Sequence, residues 1–420
     1  MSLRRRLLSF LQKRFADRPP PLRLAFWDGE VFDFSTSPTV TLTLRAPRMA
    51  RDLLLGRLDR LGDAYVAGDI LVEGAATDIL RTGIDLAERV GKAPWLAPLV
   101  RGTGLLSFRH TKAHDARAIA YHYDVSDDFY LAFLDAAMIY SCAYFCTGAE
   151  DIEVAQQQKL AHICNKLRLA PGDRLLDVGC GWGGLLHFAA SHYDISALGI
   201  TNSETQCAGA RDRIAAAGLS DRVEIRLSDY RDVPGEDCFE KIVSIGMYEH
   251  VGRRNWPTYF QSIRRLLKPG GTLLNHGIIT TDADGRPQGP PGGEFIDRYV
   301  FPGGELANLP RLLTEIARHG LETSDVEDLR PHYARTLTLW SNRLEASRDA
   351  VIAAGGVERY RIWRIYLAGM AQAFDRGWLS IAQIVAHKPI GGHPAPRPWT
   401  RDYQYSPEAI PTLCPPPDAT

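Results

Sequence analysis

Leu175-Leu176-Asp177-Val178-Gly179-Cys180-Gly181-Trp182-Gly183-Gly184 is an apolar run that ends in an acid and then turns through glycines into a helical pattern. Residues of these types in this order build a strand–loop–helix cradle. The glycines let the backbone come close to a ligand, and the first helix amides point at it. Gly179, Gly181 and Gly184 satisfy G-x-G-x-x-G, so a dinucleotide is one candidate ligand, and a purely structural turn is another explanation.

Three features favour S-adenosylmethionine over a dinucleotide. Asp177 stands directly before the glycines, where methyltransferases commonly place an acid that orients the loop and the methionine end of the cofactor. Gly183-Gly184 tightens the turn more than a dinucleotide loop requires. Farther on, Leu266-Leu267-Lys268-Pro269-Gly270-Gly271-Thr272 reads as a helix end, a proline–glycine turn and a new strand, a closing unit typical of methyltransferases.

The cradle needs a sheet to stand on. Apolar runs at Arg174–Val178, Ser196–Thr201, Val223–Leu227, Lys241–Ile245 and Gly271–Ile278 alternate with helical patterns, beginning with one over Val154–Leu167. That alternation predicts a mainly parallel sheet covered on both faces, with ligands at the carboxyl ends of its strands. Before it, Leu22–Trp27, Val31–Phe34 and Val40–Leu44 read as a small antiparallel sheet. Helical patterns follow at Ala50–Leu61 and Ala76–Val90, and Pro94 to Lys112 has the character of a linker. Gly285 to Gly293 is a proline- and glycine-rich loop or lid, and a long helical pattern covers Val357–Phe374. The expected organisation is α/β: a smaller α+β N-terminal domain with its linker over residues 1–112, and a catalytic domain over residues 113–420.

The chain has 420 residues, enough for two domains, with 45% hydrophobic and 24% charged residues. A net charge of −1 argues against nucleic acid as the main partner. The seven cysteines show no metal-ligand spacing and no disulfide framework, so no metal and a reduced, cytoplasmic compartment are expected. No apolar run is long enough to span a bilayer. The N-terminus is less even. Leu3, Leu7, Leu11 and Phe15 recur at helical spacing, with Arg4, Arg5, Arg6, Lys13 and Arg14 around them. That pattern suits a helix in an anionic membrane interface, and equally a surface helix packed on its own domain.

Further segments narrow the class. Tyr121-His122-Tyr123-Asp124 leads into Asp127-Asp128-Phe129-Tyr130, and Tyr140-Ser141-Cys142-Ala143-Tyr144-Phe145 follows. Later come Gly246-Met247-Tyr248-Glu249-His250-Val251-Gly252, Asn275-His276-Gly277-Ile278 and Pro331-His332-Tyr333. From about Tyr121 to Phe374 the chain resembles the cyclopropane fatty acid synthases, a family that includes the mycolic acid methyltransferases. The resemblance implies a class I methyltransferase fold, Rossmann-like, with S-adenosylmethionine as cofactor. It implies that Tyr140 and Ser141 close over the cofactor and that Asp177, Gly179, Gly181, Gly183 and Gly184 hold its methionine and ribose. Thr201, Asn202, Ser203 and Gln206 then bind ribose and adenine, and Asp229 and Tyr230 contact the adenine. Ser203 and Asp229 also have the types of helix or turn caps.

The implied reaction uses the cis double bond of a phospholipid acyl chain as nucleophile toward the methyl group. A bound bicarbonate then takes a proton from the new methyl and a cyclopropane closes. The resemblance gives the bicarbonate to Cys142, Glu249, His276, the backbone of Ile278, and Tyr333. Taken singly, these read as a small buried hydrophobe, a helix-start acid, a core histidine, a strand residue and an aromatic packer. The family often has Asn at the place of Asp127 and commonly a cysteine at that of Met370, which is here expected to be core packing. The N-terminal segment looks like the extra domain of members that act on phospholipids. It implies unsaturated phospholipid acyl chains as partner, peripheral contact with the inner face of a membrane, and a homodimer. A methyl- or methylene-branched product, a small-molecule methyltransferase and a catalytically silent lipid-binding protein are the rival readings.

Overall fold

The computed structural model describes residues 2–91, 126–284, 293–301 and 304–405. The expected linker Pro94–Lys112, the motif start Tyr121–Asp124 and the loop over 285–292 lie outside the described residues.

In chain order the elements are α1 (Leu3–Arg14), β1 (Leu22–Ala25), β2 (Val31–Asp33), β3 (Val40–Leu44), α2 (Pro47–Leu54), α3 (Leu58–Ala67), β4 (Ile70–Glu73) and α4 (Ala76–Gly91). Then come α5 (Asp127–Leu131), α6 (Ile152–Leu167), β5 (Arg174–Val178), α7 (Gly184–His192), β6 (Ser196–Thr201), α8 (Glu204–Ala216), β7 (Val223–Leu227) and β8 (Phe239–Ile245). The last are α9 (Trp256–Leu266), β9 (Leu267–Thr280), α10 (Gly293–Tyr299), β10 (Ala307–Asn308), α11 (Leu309–Arg318), β11 (Glu322–Asp328), α12 (Arg330–Ala346), α13 (Arg348–Asp375), β12 (Leu379–His387) and α14 (Asp402–Tyr405).

Two compact units are formed. One comprises residues 1–108, 289–302 and 341–372, and the other 109–288, 303–340 and 373–420. Two late segments thus join the first unit, where a single cut at residue 112 would leave them with the catalytic part.

The first unit holds a four-stranded sheet in the order β2-β1-β3-β4. It is mixed, correcting the expected antiparallel arrangement: β1 pairs β3 in parallel, with Leu22 opposite Val40. The cause is the short connection at 34–39. The Phe34 amide bonds the Leu22 carbonyl, and the amides of Thr39 and Val40 bond the Pro21 carbonyl, so β3 starts beside the start of β1. The helical pattern at Ala50–Leu61 is split into α2 and α3 at Gly56, whose φ is +64°. Helix α1 turns its apolar stripe inward: Leu7, Leu11 and Phe15 join the core with Leu24, Leu44 and Leu53. Each such side chain contributes about 1.5–3 kcal/mol, so the stripe is not available to a bilayer. Arg5, Arg6 and Lys13 stay exposed. Arg364 of α13 grips Glu345 through two bonds (2.8 and 3.0 Å) and donates to the carbonyls of Val72 and Gly74, fastening α13 to β4. Met370, on the same helix, is buried.

The second unit is built on the sheet β11-β12-β9-β8-β5-β6-β7, with β10 added beside β9. Strands β6, β5, β8 and β9 pair in parallel with their neighbours, and β9, β12 and β11 are antiparallel. Leu175 and Leu176 fall in separate cores, one shared with Leu160, Leu186 and Ala210, the other with Tyr259 and Ile316. Helices α6, α7 and α8 therefore cover one face, and α9 and α11 the other. Cys142, Cys164, Cys180, Cys207 and Cys238 are free thiols. Among the described residues no helix is long and apolar enough to cross a membrane.

Candidate active site

The carboxyl ends of β5, β6 and β8 open into one cavity of the second unit. Its floor is the glycine turn. Gly179 has φ +89°, and a Cβ there would sit 3.1 Å from Met247. Gly181 has φ +53° with nothing within 4 Å of where a Cβ would stand, so its backbone is open to a ligand. Gly184 opens α7, and a Cβ on it would lie 3.0 Å from the Ala137 carbonyl oxygen. Gly183 is different. It caps α7 at φ +77°, its Cβ position is 3.3 Å from Ala210 Cβ, and it does not line the cavity. It packs α7 closely against α8.

Tyr140 and Ser141 line the opposite side. Ser141 is held by α6: Gln156 Nε2 donates to its carbonyl at 2.9 Å, and Lys159 Nζ donates to its hydroxyl at 2.9 Å. The Tyr140 ring lies 5.2 Å from Trp340, which lies 6.3 Å from Tyr333, which in turn lies 4.7 Å from Phe374. The aromatic set thus runs from the cavity wall to α12.

Thr201, Asn202 and Gln206 line the cavity after β6, and the Thr201 hydroxyl donates to Gln206 Oε1 at 3.0 Å. Ser203 does not line it. Its hydroxyl accepts from the Gln206 amide and caps α8. Asp229 and Tyr230 are in the wall, and the Asp229 carboxylate is gripped by the Arg231 guanidinium at 2.6 and 2.7 Å. Burial pushes that carboxyl up, but the Arg231 bonds outweigh it and hold it below its ordinary value.

Two buried charges in this cavity set its electrostatics. Asp177 has Oδ1 without a partner, and burial pushes the carboxyl up to about 7 against the opposing charge of Lys159. Burial lowers the Lys159 ammonium to about 8, opposed by Asp135, Cys142 and Asp177. Sequence reasoning missed Lys159. The available sign was that α6 carries Gln156, Gln158, Lys159, His162 and Lys166 among its apolar residues, more polar side chains than one solvated face accounts for.

The five residues expected to hold an anion do not line this cavity. Glu249 sits in the short turn Tyr248–His250 after β8, and its Oε1 accepts from the Ile278 amide at 2.7 Å. That amide is therefore taken by Glu249. Only glycine fits between His276 and Ile278, because a Cβ on Gly277 would stand 2.0 Å from the Tyr248 ring. Glu249 Oε2 and His276 Nε2 are buried without partners. Gln383 Nε2 lies 3.4 Å from His276 Nδ1, which leaves the ring proton on Nε2. Burial raises the Glu249 carboxyl to about 7 and holds the His276 imidazole well below its usual range, hence neutral. Cys142 is buried with its thiol 3.2 Å from the Ala143 carbonyl, and burial pushes the thiol up, so it stays protonated. The Ala143 amide bonds Thr336 on α12, one turn beyond Tyr333. Strand alternation turns His276 away from the face of Gly277, toward the side where the Lys159 charge acts on it, on Cys142 and on Asp177. Lys159 is thus the one charge that acts on Asp177 in the cavity and also on Cys142 and His276.

Residues 110–384 match the family model described as mycolic acid cyclopropane synthetase, and residues 8–91 match a domain family of unknown function. A probable fatty acid methyltransferase of Pseudomonas putida is 46% identical over 92% of this chain and 96% of its own length. The cyclopropane-fatty-acyl-phospholipid synthase of Escherichia coli is 41% identical over 63% of this chain and 66% of its own. The solved structure of mycolic acid cyclopropane synthase CmaA1 complexed with SAH and CTAB superposes with a TM-score of 0.62 at 33% identity, covering 65% of this chain and 98% of that one. The parallel sheet, the glycine cradle and these likenesses agree: the chain belongs to the mycolic acid cyclopropane synthetase family of class I, S-adenosylmethionine-dependent methyltransferases.

Proposed function

We propose that this chain methylates the cis double bond of an unsaturated phospholipid acyl chain and closes a cyclopropane ring there. The observation that carries the reading is two buried polar atoms without partners, Glu249 Oε2 in the turn after β8 and His276 Nε2 on β9. An alkene brings its own nucleophile, so the protein needs a dry pocket, π faces near a developing cation, and a place for a base. Transfer to oxygen or nitrogen would instead call for a polar acceptor pocket.

The cavity suits the cofactor: Gly181 leaves backbone open, and Asp177 offers an unsatisfied carboxylate oxygen. Tyr140, Ser141, Asp177, Thr201, Gln206 and Tyr230 would hold it. Bound there, S-adenosylmethionine supplies an electrophilic methyl, whose bond to sulfur breaks as the alkene π pair forms a bond to carbon, leaving a carbocation on the chain. Tyr333, Trp340 and Phe374 present rings that stabilise positive charge. Bicarbonate, which the resemblance gives to Glu249, His276 and Tyr333, would be the acceptor of the methyl proton as the C–H pair closes the ring. Cys142, kept as a buried thiol, gives no nucleophile.

A second reading, a branched acyl chain formed by hydride shift and loss of another proton, is favoured by names. The Pseudomonas putida relative is called a probable fatty acid methyltransferase, and a 34% identical relative spanning 86% of this chain is the tuberculostearic acid methyltransferase of Mycobacterium tuberculosis. The deciding assay incubates the protein with S-adenosylmethionine and unsaturated phospholipid vesicles, with and without bicarbonate, and examines acyl esters by mass spectrometry and proton NMR. Upfield ring protons that require bicarbonate support ring closure. A one-carbon gain without ring protons supports the branched product, and no lipid product refutes both.

A further inference from the structure

We propose that Lys159 binds the carboxylate of the cofactor's amino-acid end while Asp177 takes its ammonium, so that two buried side chains of opposite charge select a zwitterion. The inference rests on the cofactor assignment above and names which groups of this chain read which end of that molecule. Both side chains line the one cavity, and both are almost fully buried, at 1% and 2% exposure. A lysine ammonium has three N–H donors. Among the described residues one of them has a hydrogen-bond partner, Ser141 Oγ at 2.9 Å.

Burying an ammonium is costly unless acceptors surround it. The carboxylate of Asp135 accepts from the amides of Ala137 and Ile139 at 3.0 Å each and forms no hydrogen bond or ion pair with Lys159 among the described residues. The remaining donors of Lys159 therefore call for an acceptor from outside the protein. Asp177 has the complementary shortfall, an oxygen buried without a donor. A ligand end carrying one carboxylate and one ammonium satisfies both. A nucleotide phosphate would satisfy Lys159 and leave Asp177 facing a like charge, which explains in terms of charge why this glycine cradle does not suit a dinucleotide.

The test is isothermal calorimetry on the full chain with three probes: S-adenosylhomocysteine, its decarboxylated analogue, which keeps the ammonium, and 5′-methylthioadenosine, which has neither group. The wild-type chain should bind S-adenosylhomocysteine about ten- to a hundredfold more tightly than the decarboxylated analogue, the size of a charge-assisted bond. K159M should remove that preference while leaving methylthioadenosine affinity within about threefold. Equal wild-type affinity for the first two probes overturns the proposal, and this comparison stands even where K159M does not fold. Equal weakening of all three probes by K159M also overturns it, because Lys159 would then act only as a support for Ser141. Failure of the wild-type chain to bind any probe would instead overturn the cofactor assignment.

Discussion

Asp127 accepts the indole N–H of Trp182 at 2.8 Å, and so ties α5 to the glycine turn of the cofactor cavity. Tyr130, on the same short helix, lies 5.0 Å from the same indole. The negative charge that distinguishes Asp127 from the family's frequent Asn is thus spent on a hydrogen bond that an amide oxygen also accepts. D127N should keep S-adenosylhomocysteine affinity within about threefold, whereas D127A, with no acceptor, should weaken it about tenfold. Calorimetric Kd values, with Trp182 fluorescence as a check on the turn, measure both.

Gly277 is where β9 admits the Tyr248–Glu249 turn. Any Cβ there meets the Tyr248 ring at 2.0 Å and pushes Glu249 from the Ile278 amide. G277A should lower unfolding free energy by about 2–3 kcal/mol through overpacking and cut turnover more than a hundredfold. Denaturant unfolding and product formation, measured together, separate the two effects.

Glu249 predicts a pH dependence with a definite sign. Its carboxyl lies at about 7 in the folded chain against an ordinary 4.5, raised by burial. The folded state therefore holds that proton more tightly than the unfolded state. The associated stability is fully present below about 4.5 and is lost as pH rises through about 7, with a magnitude of about 3 kcal/mol at most. E249Q should flatten the fall in unfolding free energy between about pH 5 and pH 8. Asp177 has the same sign, so part of the slope should survive in E249Q and vanish only in the double variant with D177N.

Cys142 is a buried thiol whose titration is pushed upward, so iodoacetamide should leave it unmodified in the folded chain. C142S should retain turnover within about tenfold. Mass spectrometry of the alkylated protein and the product assay check each part.

The exposed cations of α1 offer an anionic surface charge alone, because the apolar stripe is committed to the core. R5E/R6E should weaken co-sedimentation with anionic vesicles at low salt by about tenfold or more and leave the Tm unchanged. L11A should do the reverse: lower stability by about 2–4 kcal/mol and leave vesicle binding intact. Equal vesicle binding by R5E/R6E and the wild type would remove α1 from any membrane contact.

Strands β5, β6 and β7 were legible to the residue, because each is a short apolar run bounded by turn residues, and that pattern is local. The cradle was legible for the same reason: Asp177 and the glycines lie within eight residues, and the turn they form depends on φ angles that only glycine adopts readily. Strand β12, by contrast, is another apolar run whose place between β9 and β11 depends on pairing partners far away in the chain, such as Asp328 opposite Ala382 and Thr272 opposite His387. Periodicity showed that α1 has an apolar face, but not whether protein or lipid covers it. Likewise, Ser203 and Gly183 have residue types that suit a ligand contact, while the cap that Ser203 gives α8 and the closeness of Gly183 to Ala210 are set by the fold. Lys159 became a site residue only when α6 was enclosed on the sheet, because a long polar side chain joins a cavity through what surrounds its end, and that is set by tertiary packing rather than by sequence neighbours.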